Sequence, residues 1–278
     1  MSASRASTAL AAGGFEVTVL SRADELAECD ALYREVFTTS ASDTAVNPRL
    51  LFAIARHGGI VVGARAAGVL IGFAFSFLAR DGAGQPPYQY SQTAAVTERW
   101  RGRGVGRALK LAQREAALRA GIELIRWRYD PMHAANAHFN LDVLGAIAVA
   151  LERDAYGSHG PPADGGEPTD RLLVDWRLTS PRVVRCAEQR TGEPPGPPSP
   201  PLRPGQLRRA GAEAHLAIPA QWRSLSAVPE RHRIRDRATG EMAELFADGF
   251  VATSCARQDA QTAVYRFQRS ADADGGSR

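Results

Sequence analysis

The sequence predicts an α/β fold in which helices flank a mixed sheet. Two periodicities support this prediction: short segments alternate apolar and polar residues, as strands do, and longer segments place apolar residues three or four apart, as amphipathic helices do. Phe15–Leu20 shows the first pattern, and Leu26, Cys29, Tyr33 and Val36 show the second. The predicted order of strand, two helices, three strands, helix, strand, helix and two strands describes an α/β sandwich.

The elements after the first helix are predicted from the same periodicities and from turn residues. In chain order they are helix Arg49–His57, strands Gly59–Gly63, Val69–Phe75 and Tyr88–Val96, helix Arg107–Ala120, strand Glu123–Tyr129, helix Ala134–Leu144, and strands Ala146–Leu151 and Arg171–Leu178.

A proline-rich segment separates the last part of the chain from these elements. Seven prolines between Glu193 and Gly205 remove amide donors and fix φ, which predicts an extended linker. Beyond it, Arg231–Phe246 is predicted to be helical, and Phe250–Ser254 is predicted to pair with Thr262–Gln268. The predicted organisation is a disordered start (1–13), a main domain (14–190), the linker (191–206), a small α+β extension (207–269) and a disordered tail (270–278). The extension is expected to dock on the main domain or on a second subunit, in a monomer or homodimer.

The charge pattern favours a small anionic ligand over nucleic acid. The net charge is +4, Lys110 is the only lysine, and arginines alternate with acids along most of the chain, so no basic face for a nucleic acid is expected. A modest positive balance suits a polyanionic ligand.

The cysteines and the apolar segments indicate a reduced, soluble protein. Cys29, Cys186 and Cys255 form no C-x-x-C pair, which argues against a disulfide scaffold or a zinc site. His133 and His138 lack a third ligand at metal spacing, so no metal is expected. No secretory signal and no apolar run of about 20 residues is present. We therefore expect a cytoplasmic protein with no membrane partner.

A glycine-rich segment in mid-chain, Arg101–Gly106, carries the clearest functional signal. It follows a predicted strand and opens a helix with an apolar stripe at Val105, Leu109, Ala112 and Ala116. Such a turn exposes N–H groups at the positive end of a helix dipole, and its glycines let an oxyanion approach the backbone. The alternative is an ordinary surface turn. The candidate ligand contacts are Arg101, Gly102, Arg103, Gly104, Val105, Gly106 and Arg107.

This segment resembles the signature [QR]-x-x-G-x-[GA] of the GNAT acyltransferase superfamily, and differs from the P-loop and the dinucleotide-binding pattern. The resemblance implies a mostly antiparallel central sheet flanked by helices. It also implies that the loop holds the pyrophosphate of coenzyme A and that the preceding strand, near Ala95 and Val96, lies along the pantetheine arm.

A narrower resemblance extends over nearly the whole chain apart from the linker. Its motifs are Trp127-Arg128-Tyr129-Asp130-Pro131-Met132, Asn136-Ala137-His138-Phe139-Asn140, Tyr156-Gly157 and Pro168-Thr169-Asp170-Arg171. They are similar to those of a GNAT subgroup with a like C-terminal extension. Some of its members are thought to N-acylate amino acids, which makes succinyl-coenzyme A a candidate donor beside acetyl-coenzyme A.

The general acid of many GNAT enzymes is missing. The resemblance places a tyrosine four residues before the glycine that closes the helix after the fifth strand, and Leu141 stands at that distance from Gly145. Tyr156 is a candidate replacement, or else a packing residue at a Tyr-Gly turn. Asp130, at the end of the fifth strand, either orients and deprotonates an amine acceptor or forms an Asx-Pro turn.

The remaining candidates flank Asp130. Asn136 and Asn140, four apart on one helical face, either bond pantetheine amides or cap the turn at Asp130. Arg128 and Tyr129 are candidate substrate contacts, because an arginine facing the pocket would select a carboxylate-bearing acceptor. The alternative is that Arg128 reaches a strand edge or pairs with a nearby acid.

These observations predict an acyl-coenzyme A-dependent N-acyltransferase for a small amine, acting by direct transfer in a ternary complex. Backbone N–H groups near Ala95 and Val96 would polarise the thioester carbonyl for attack by a neutral amine. No cysteine nucleophile is needed. The alternative is a non-catalytic acyl-coenzyme A sensor, which the missing tyrosine favours.

Overall fold

The computed structural model describes residues 14–37, 46–157, 168–189, 198–225 and 228–270. The chain divides into two compact units, Met1–Arg126 and Trp127–Arg278. The disorder predicted for 1–13 and for most of 270–278 lies outside the described residues, as does the first part of the linker. The division at residue 126 differs from the boundary expected at the linker, and the predicted domain organisation stays a prediction.

The first unit is a sheet in the order β1-β2-β3-β4-β5, with neighbours antiparallel except for the parallel pair β4–β5. The strand β5 straddles the division. The elements of the unit are β1 (Glu16–Val19), α1 (Ala23–Phe37), α2 (Pro48–Arg56), β2 (Ile60–Ala66), β3 (Val69–Ala79), β4 (Tyr88–Val96), α3 (Val105–Arg119) and β5 (Leu124–Tyr129).

Helix α1 packs on one face of this sheet through the stripe that its sequence predicts. Leu26, Cys29 and Leu32 are buried in one apolar cluster with Phe73 and Ala95. Removing these side chains from water stabilises the unit by roughly 25 cal/mol per Å² of apolar surface. Helix α3 contacts the sheet as well, at β2, β3 and β4.

A β-bulge in β4 sets which side chains face α3. Phe75 pairs with Thr93 while Ser76 pairs with Ser91, so Gln92 is an extra residue in β4. The bulge leaves Ala95 in the cluster beneath α1 and turns Ser91 toward α3.

The parallel pairing of β4 with β5 is short. Its register pairs are Gln89 with Ile125 and Tyr90 with Arg126. In the described residues of the first unit, the part of β4 from Ser91 to Val96 has no register pair with β5.

The second unit is built on a sheet in the order β7-β6-β10-β11-β9-β8. All of its described register pairs are antiparallel. Its elements are α4 (Ala134–His138), a π-helical turn (Phe139–Val143), β6 (Ile147–Glu152), β7 (Arg171–Arg177), α5 (Pro181–Ala187), β8 (Leu207–Ala210), β9 (Glu213–Pro219), α6 (Val228–Ala247), β10 (Phe250–Arg257) and β11 (Thr262–Arg269).

The predicted α/β class is confirmed, and three elements of the second unit add to the prediction. Helix α5 and strands β8 and β9 were not predicted, because they are short and flank the proline-rich segment. Residues 198–206, the described part of the predicted linker, make contacts within the second unit. Leu202 is buried, and its N–H and C=O bond the amide of Gln258 at 2.9 Å each.

The close packing of Gly145 against α5 generates a stability prediction. Gly145 has φ +76, and an added Cβ would lie 2.9 Å from Cys186 Sγ and 3.3 Å from Arg182 O. Gly145→Ala should lower the free energy of unfolding by roughly 2–4 kcal/mol, since left-handed strain and overpacking add. Gly121→Ala is the matched control, because Gly121 has φ +72 and open space around it. It should cost only about 1–2 kcal/mol. Equal losses in denaturant titrations would contradict the packing argument.

Candidate functional site

Two glycines carry the chain from β4 into α3. Gly102 has φ +73 and Gly104 has φ +82, both in the left-handed region that favours glycine. A Cβ added at either position would meet no atom within 4 Å. The turn is therefore held by backbone conformation and leaves its outer surface open.

The first turn of α3 has the form of an anion site. Gly104 is the N-cap and offers no side-chain cap, and the first intrahelical bond runs from Ala108 N to Gly104 O at 3.0 Å. The amides of Val105, Gly106 and Arg107 precede that bond, at the positive end of the dipole. The first turn contains no acidic residue. Such an arrangement stabilises a phosphate group without any further side chain.

Two of the predicted arginines lie at this turn. Arg101 is exposed and its Nε donates to Val96 O at 3.2 Å. Arg103 is exposed and its guanidinium lies 5.4 Å from the centre of the Trp100 ring. The Val105 side chain is buried, so only its backbone is placed to meet a ligand.

The hydrogen-bond pattern of β4 decides which of its amides point outward. Thr97 N donates to Ile71 O at 3.0 Å, and Val96 pairs with Gly72. Because antiparallel strands alternate between bonded and non-bonded pairs, Ala95 directs its N–H at β3 and Val96 directs its N–H away from β3. The bond from Arg101 to Val96 O agrees, since that carbonyl also points away from β3. Of the two residues predicted to contact the donor, Val96 offers the amide.

Beneath α3, a buried polar cluster consists of Ser91, Lys110 and Gln113. Lys110 Nζ donates to Ser91 Oγ at 2.8 Å and lies 3.4 Å from Gln113 Oε1, and Ser91 Oγ donates to the same oxygen at 3.3 Å. All three side chains are at most 5% exposed. Burial lowers the pKa of Lys110 from 10.5 to about 7. The sequence prediction missed this cluster, although a lysine and a glutamine three apart near the apolar stripe were a signal for it.

In the second unit, Asp130 is occupied by protein partners. Its Oδ1 accepts from Met132 N at 2.8 Å, which forms an Asx turn, and its two oxygens accept from Arg235 at 3.2 and 3.1 Å. The Arg235 side chain is 2% exposed and that of Asp130 is 11% exposed. A carboxylate held in this way is poorly placed to accept a proton from a substrate, so the structure favours the turn over the catalytic role. Arg235 was not predicted, because its helix lies about 100 residues away in sequence.

Tyr156 lies in a cluster that unites two of the sequence motifs. Its N–H donates to Thr169 Oγ1 at 2.8 Å, and the Arg171 guanidinium lies 5.1 Å from its ring centre. Thr169 Oγ1 in turn donates to Asp154 Oδ1 at 3.0 Å. These contacts join the end of β6 to the start of β7, which explains why the Tyr-Gly and Pro-Thr-Asp-Arg motifs stand at these two positions.

The two predicted substrate contacts have partners within the second unit. Arg128 forms a two-point ion pair with Glu152, with N–O distances of 2.5 and 2.7 Å. Tyr129 is 3% exposed, and its hydroxyl accepts from Tyr265 at 3.4 Å. Arg128 therefore follows the predicted alternative of pairing with an acid, and Tyr129 belongs to the core.

Asn136 of α4 and Asn140 of the π-helical turn form a chain of side-chain contacts with β5. Trp127 Nε1 donates to Asn140 Oδ1 at 3.3 Å, and Asn140 Nδ2 lies 3.5 Å from Asn136 Oδ1. Asn140 is buried. The Asp130 carboxylate bonds Met132 N and Arg235, whereas the asparagines bond Trp127 and each other. Leu141, where an acid was expected, is fully buried in the π-helical turn.

The three cysteines are buried and are not joined in disulfides. They are Cys29, Cys186 and Cys255, and burial raises the pKa of the Cys29 thiol to about 12. Within the described ranges, no group of three His, Cys, Asp or Glu residues is placed to hold a metal ion. In the same ranges, no helix has both the length and the apolar character needed to cross a bilayer.

Comparison with known families gives one match. Residues 26–140, less than half of the chain, match the model of the acetyltransferase (GNAT) family. The match begins in α1 and ends in the π-helical turn, and it includes β4, the glycine turn and α3. None of the curated proteins compared with the sequence is a match.

Several solved structures are similar at low identity. The putative acetyltransferase yncA from Salmonella typhimurium, solved with its cofactor acetyl-CoA, is 18% identical, with a TM-score of 0.48 over 59% of this chain and 94% of that chain. The ribosomal-protein-S18-alanine N-acetyltransferase from Escherichia coli is 13% identical, with a TM-score of 0.47 over the same shares. The aminoglycoside acetyltransferase meta-AAC0020 from an uncultured soil metagenomic sample is 17% identical, with a TM-score of 0.41 over 46% of this chain and 86% of that chain. Similarity at this level says nothing about the substrate of this chain.

The low pKa of Lys110 predicts an unusual pH dependence of stability. Between about pH 7 and pH 10.5 the unfolded chain binds a proton at Lys110 that the folded chain does not, so stability rises with pH in that window. Relative to Lys110→Met, the wild type should gain up to about 1.4 kcal/mol per pH unit above pH 7. Urea titrations of both proteins from pH 6.5 to 9.5 measure this difference. Parallel profiles would show that the buried amine keeps its ordinary pKa.

The ion pair of Asp130 predicts a large cost for removing its partner. Arg235→Leu leaves the Asp130 carboxylate buried without its cation and should lower the free energy of unfolding by about 3–5 kcal/mol. Arg233→Leu is the control on the same helix, because the Arg233 side chain is 78% exposed. That control should change stability by less than about 0.5 kcal/mol. If both variants unfold at the same urea concentration, the pair contributes nothing.

Proposed function

We propose that this chain, whose residues 26–140 match the acetyltransferase (GNAT) family, transfers an acyl group from an acyl-coenzyme A to the amine of a small molecule. Amino acids are the candidate acceptors, and acetyl and succinyl groups are the candidate acyl groups. The three free thiols favour a reducing compartment, so we place the activity in the cytoplasm.

The observation that carries this proposal is the open turn before α3. Its glycines at positive φ and the uncapped first turn of the helix suit a diphosphate, because amides and dipole both favour negative charge there. Arg101 and Arg103 add two exposed cations at the rim of the turn.

The same strand supplies a hydrogen-bond donor for the pantetheine arm. The N–H of Val96 points away from β3 at the end of β4 that meets the turn, where it can bond a carbonyl oxygen of the arm. At the thioester, the acceptor nitrogen bonds the carbonyl carbon, the carbon–sulfur bond breaks, and the nitrogen loses its proton to solvent.

None of the three positions considered for proton transfer offers a well-placed acid or base. Asp130 is held by Arg235, Tyr156 lies beneath Arg171, and Leu141 offers no proton. We therefore propose that the acceptor binds as the neutral amine and that the thiolate leaves without a general acid. Direct attack in a ternary complex needs neither an acyl-enzyme nor a cysteine nucleophile, in keeping with the buried Cys29 thiol.

The lack of a well-placed acid and base favours one alternative function. A chain that binds acyl-coenzyme A but lacks an acid and a free base could act as a sensor of the donor rather than as an enzyme. Thiol release measured with acetyl- or succinyl-coenzyme A and a panel of D- and L-amino acids separates the two. Donor binding with no acceptor-dependent thiol release would select the sensor.

A substitution in the turn tests donor binding directly. Gly104→Glu places a side chain and a negative charge where the phosphates are expected, so it should abolish the increase in melting temperature that acyl-coenzyme A causes in the wild type. Gly121→Glu is the control, because it adds the same charge at the other end of α3, also at positive φ and in open space. That control should keep the increase. An unchanged increase in Gly104→Glu would refute the assignment of the turn.

A further inference from the structure

The buried amine of Lys110 lies where the paired part of β4 ends. Its hydrogen-bond partner Ser91 directly follows Tyr90, the last β4 residue that pairs with β5. Lys110 also belongs to α3, the helix whose first turn forms the anion site. The amine and the phosphate site are therefore at opposite ends of one stretch of β4, and both lie in the first unit.

The length of that stretch matches the length of the pantetheine arm. From Val96 back to Ser91 is five residues, or roughly 17 Å of extended strand. The arm from pyrophosphate to sulfur contains about 13 bonds, which span roughly 16 Å when extended. If the arm starts at the turn, next to Val96, and follows the free edge of β4, its thioester ends beside Ser91.

The cluster around the amine has an unused hydrogen-bond donor. Gln113 is fully buried, and its Nε2 has no hydrogen-bond partner among the described residues. A buried donor of this kind calls for an acceptor such as a carbonyl oxygen.

The amine of Lys110 is also suited to act as a nucleophile. Burial brings the pKa of Lys110 to about 7, so a large fraction is neutral and nucleophilic near neutral pH. A neutral primary amine is the same group that the proposed reaction acylates.

We propose that Lys110 is a self-acylation site, modified by the acyl-coenzyme A that the turn before α3 holds. Lys110 Nζ bonds the carbonyl carbon, the carbon–sulfur bond breaks, and one proton passes from the nitrogen to the thiolate sulfur, so the products are an amide and free coenzyme A thiol. Gln113 Nε2 is placed to bond the acyl oxygen. The inference rests on the proposed donor site and does not require an external acceptor.

The test is mass spectrometry of the full chain after incubation with acetyl-coenzyme A and no added amine. We expect one acetyl group per chain, located on Lys110 by peptide mapping, with one equivalent of thiol released. Lys110 is the only lysine, so the other amine to distinguish is the N-terminal one. In Lys110→Met, acetylation of the mapped α3 peptide should disappear.

Two controls separate self-acylation from chemical labelling. Gly104→Glu should slow acetylation of Lys110 by more than about tenfold, because positioning of the donor, and not its bulk concentration, drives the reaction. An N-hydroxysuccinimide ester of acetate, which needs no donor site, should label the N-terminus and spare the buried Lys110.

The possible failures are distinguishable. If acetyl-coenzyme A raises the melting temperature but Lys110 stays unmodified, self-acylation is refuted and the donor site stands. If no melting temperature changes with any acyl-coenzyme A, both proposals fall. Equal labelling of Lys110 in wild type and Gly104→Glu would also refute self-acylation.

Discussion

The passage from β4 into α3 through Gly102 and Gly104 is the constraint on which the candidate donor site depends. Both residues have positive φ, which would cost another residue about 1–2 kcal/mol. This conformation brings the start of α3 next to the end of β4, where Arg101 bonds Val96 O. The ladder with β3 then fixes the outward direction of the Val96 amide. The main features of the site are therefore backbone features, which few side-chain changes would disturb.

Burial has opposite consequences for the two most unusual charged groups. Asp130 is buried beside Arg235, so it is matched by a cation and tied to its turn. Lys110 is buried among the uncharged polar groups of Ser91 and Gln113, and its pKa falls to about 7. The carboxylate that the sequence suggests as a base is thus engaged, whereas the amine, which the sequence prediction did not single out, is the group that we propose to be acylated. Environment, not residue type, decides which of the two is available for chemistry.

Local sequence patterns predicted the elements whose structure depends on residues that are near one another in the chain. The strand Tyr88–Val96 and the hairpin within 250–268 agree with the structure because alternation and turn residues specify them. The prediction of which α3 residues are buried was only partly right. Ala112 was expected to be buried, but the buried positions include Lys110 and Gln113, because Ser91 across from them bonds both Lys110 Nζ and Gln113 Oε1. The bulge at Gln92 that turns Ser91 toward α3 has no signature in the sequence of β4.

By itself, the sequence determined the class of fold, the glycine turn that opens α3 and the lack of a tyrosine at Leu141, since each depends on residues near one another in the chain. Only the tertiary structure decided that Arg235 engages Asp130, that Glu152 engages Arg128, and that Lys110 is buried beside Ser91. These pairs join residues from 19 to 105 positions apart. Pairing over such separations is set by sheet register and helix packing, which no short window of sequence contains.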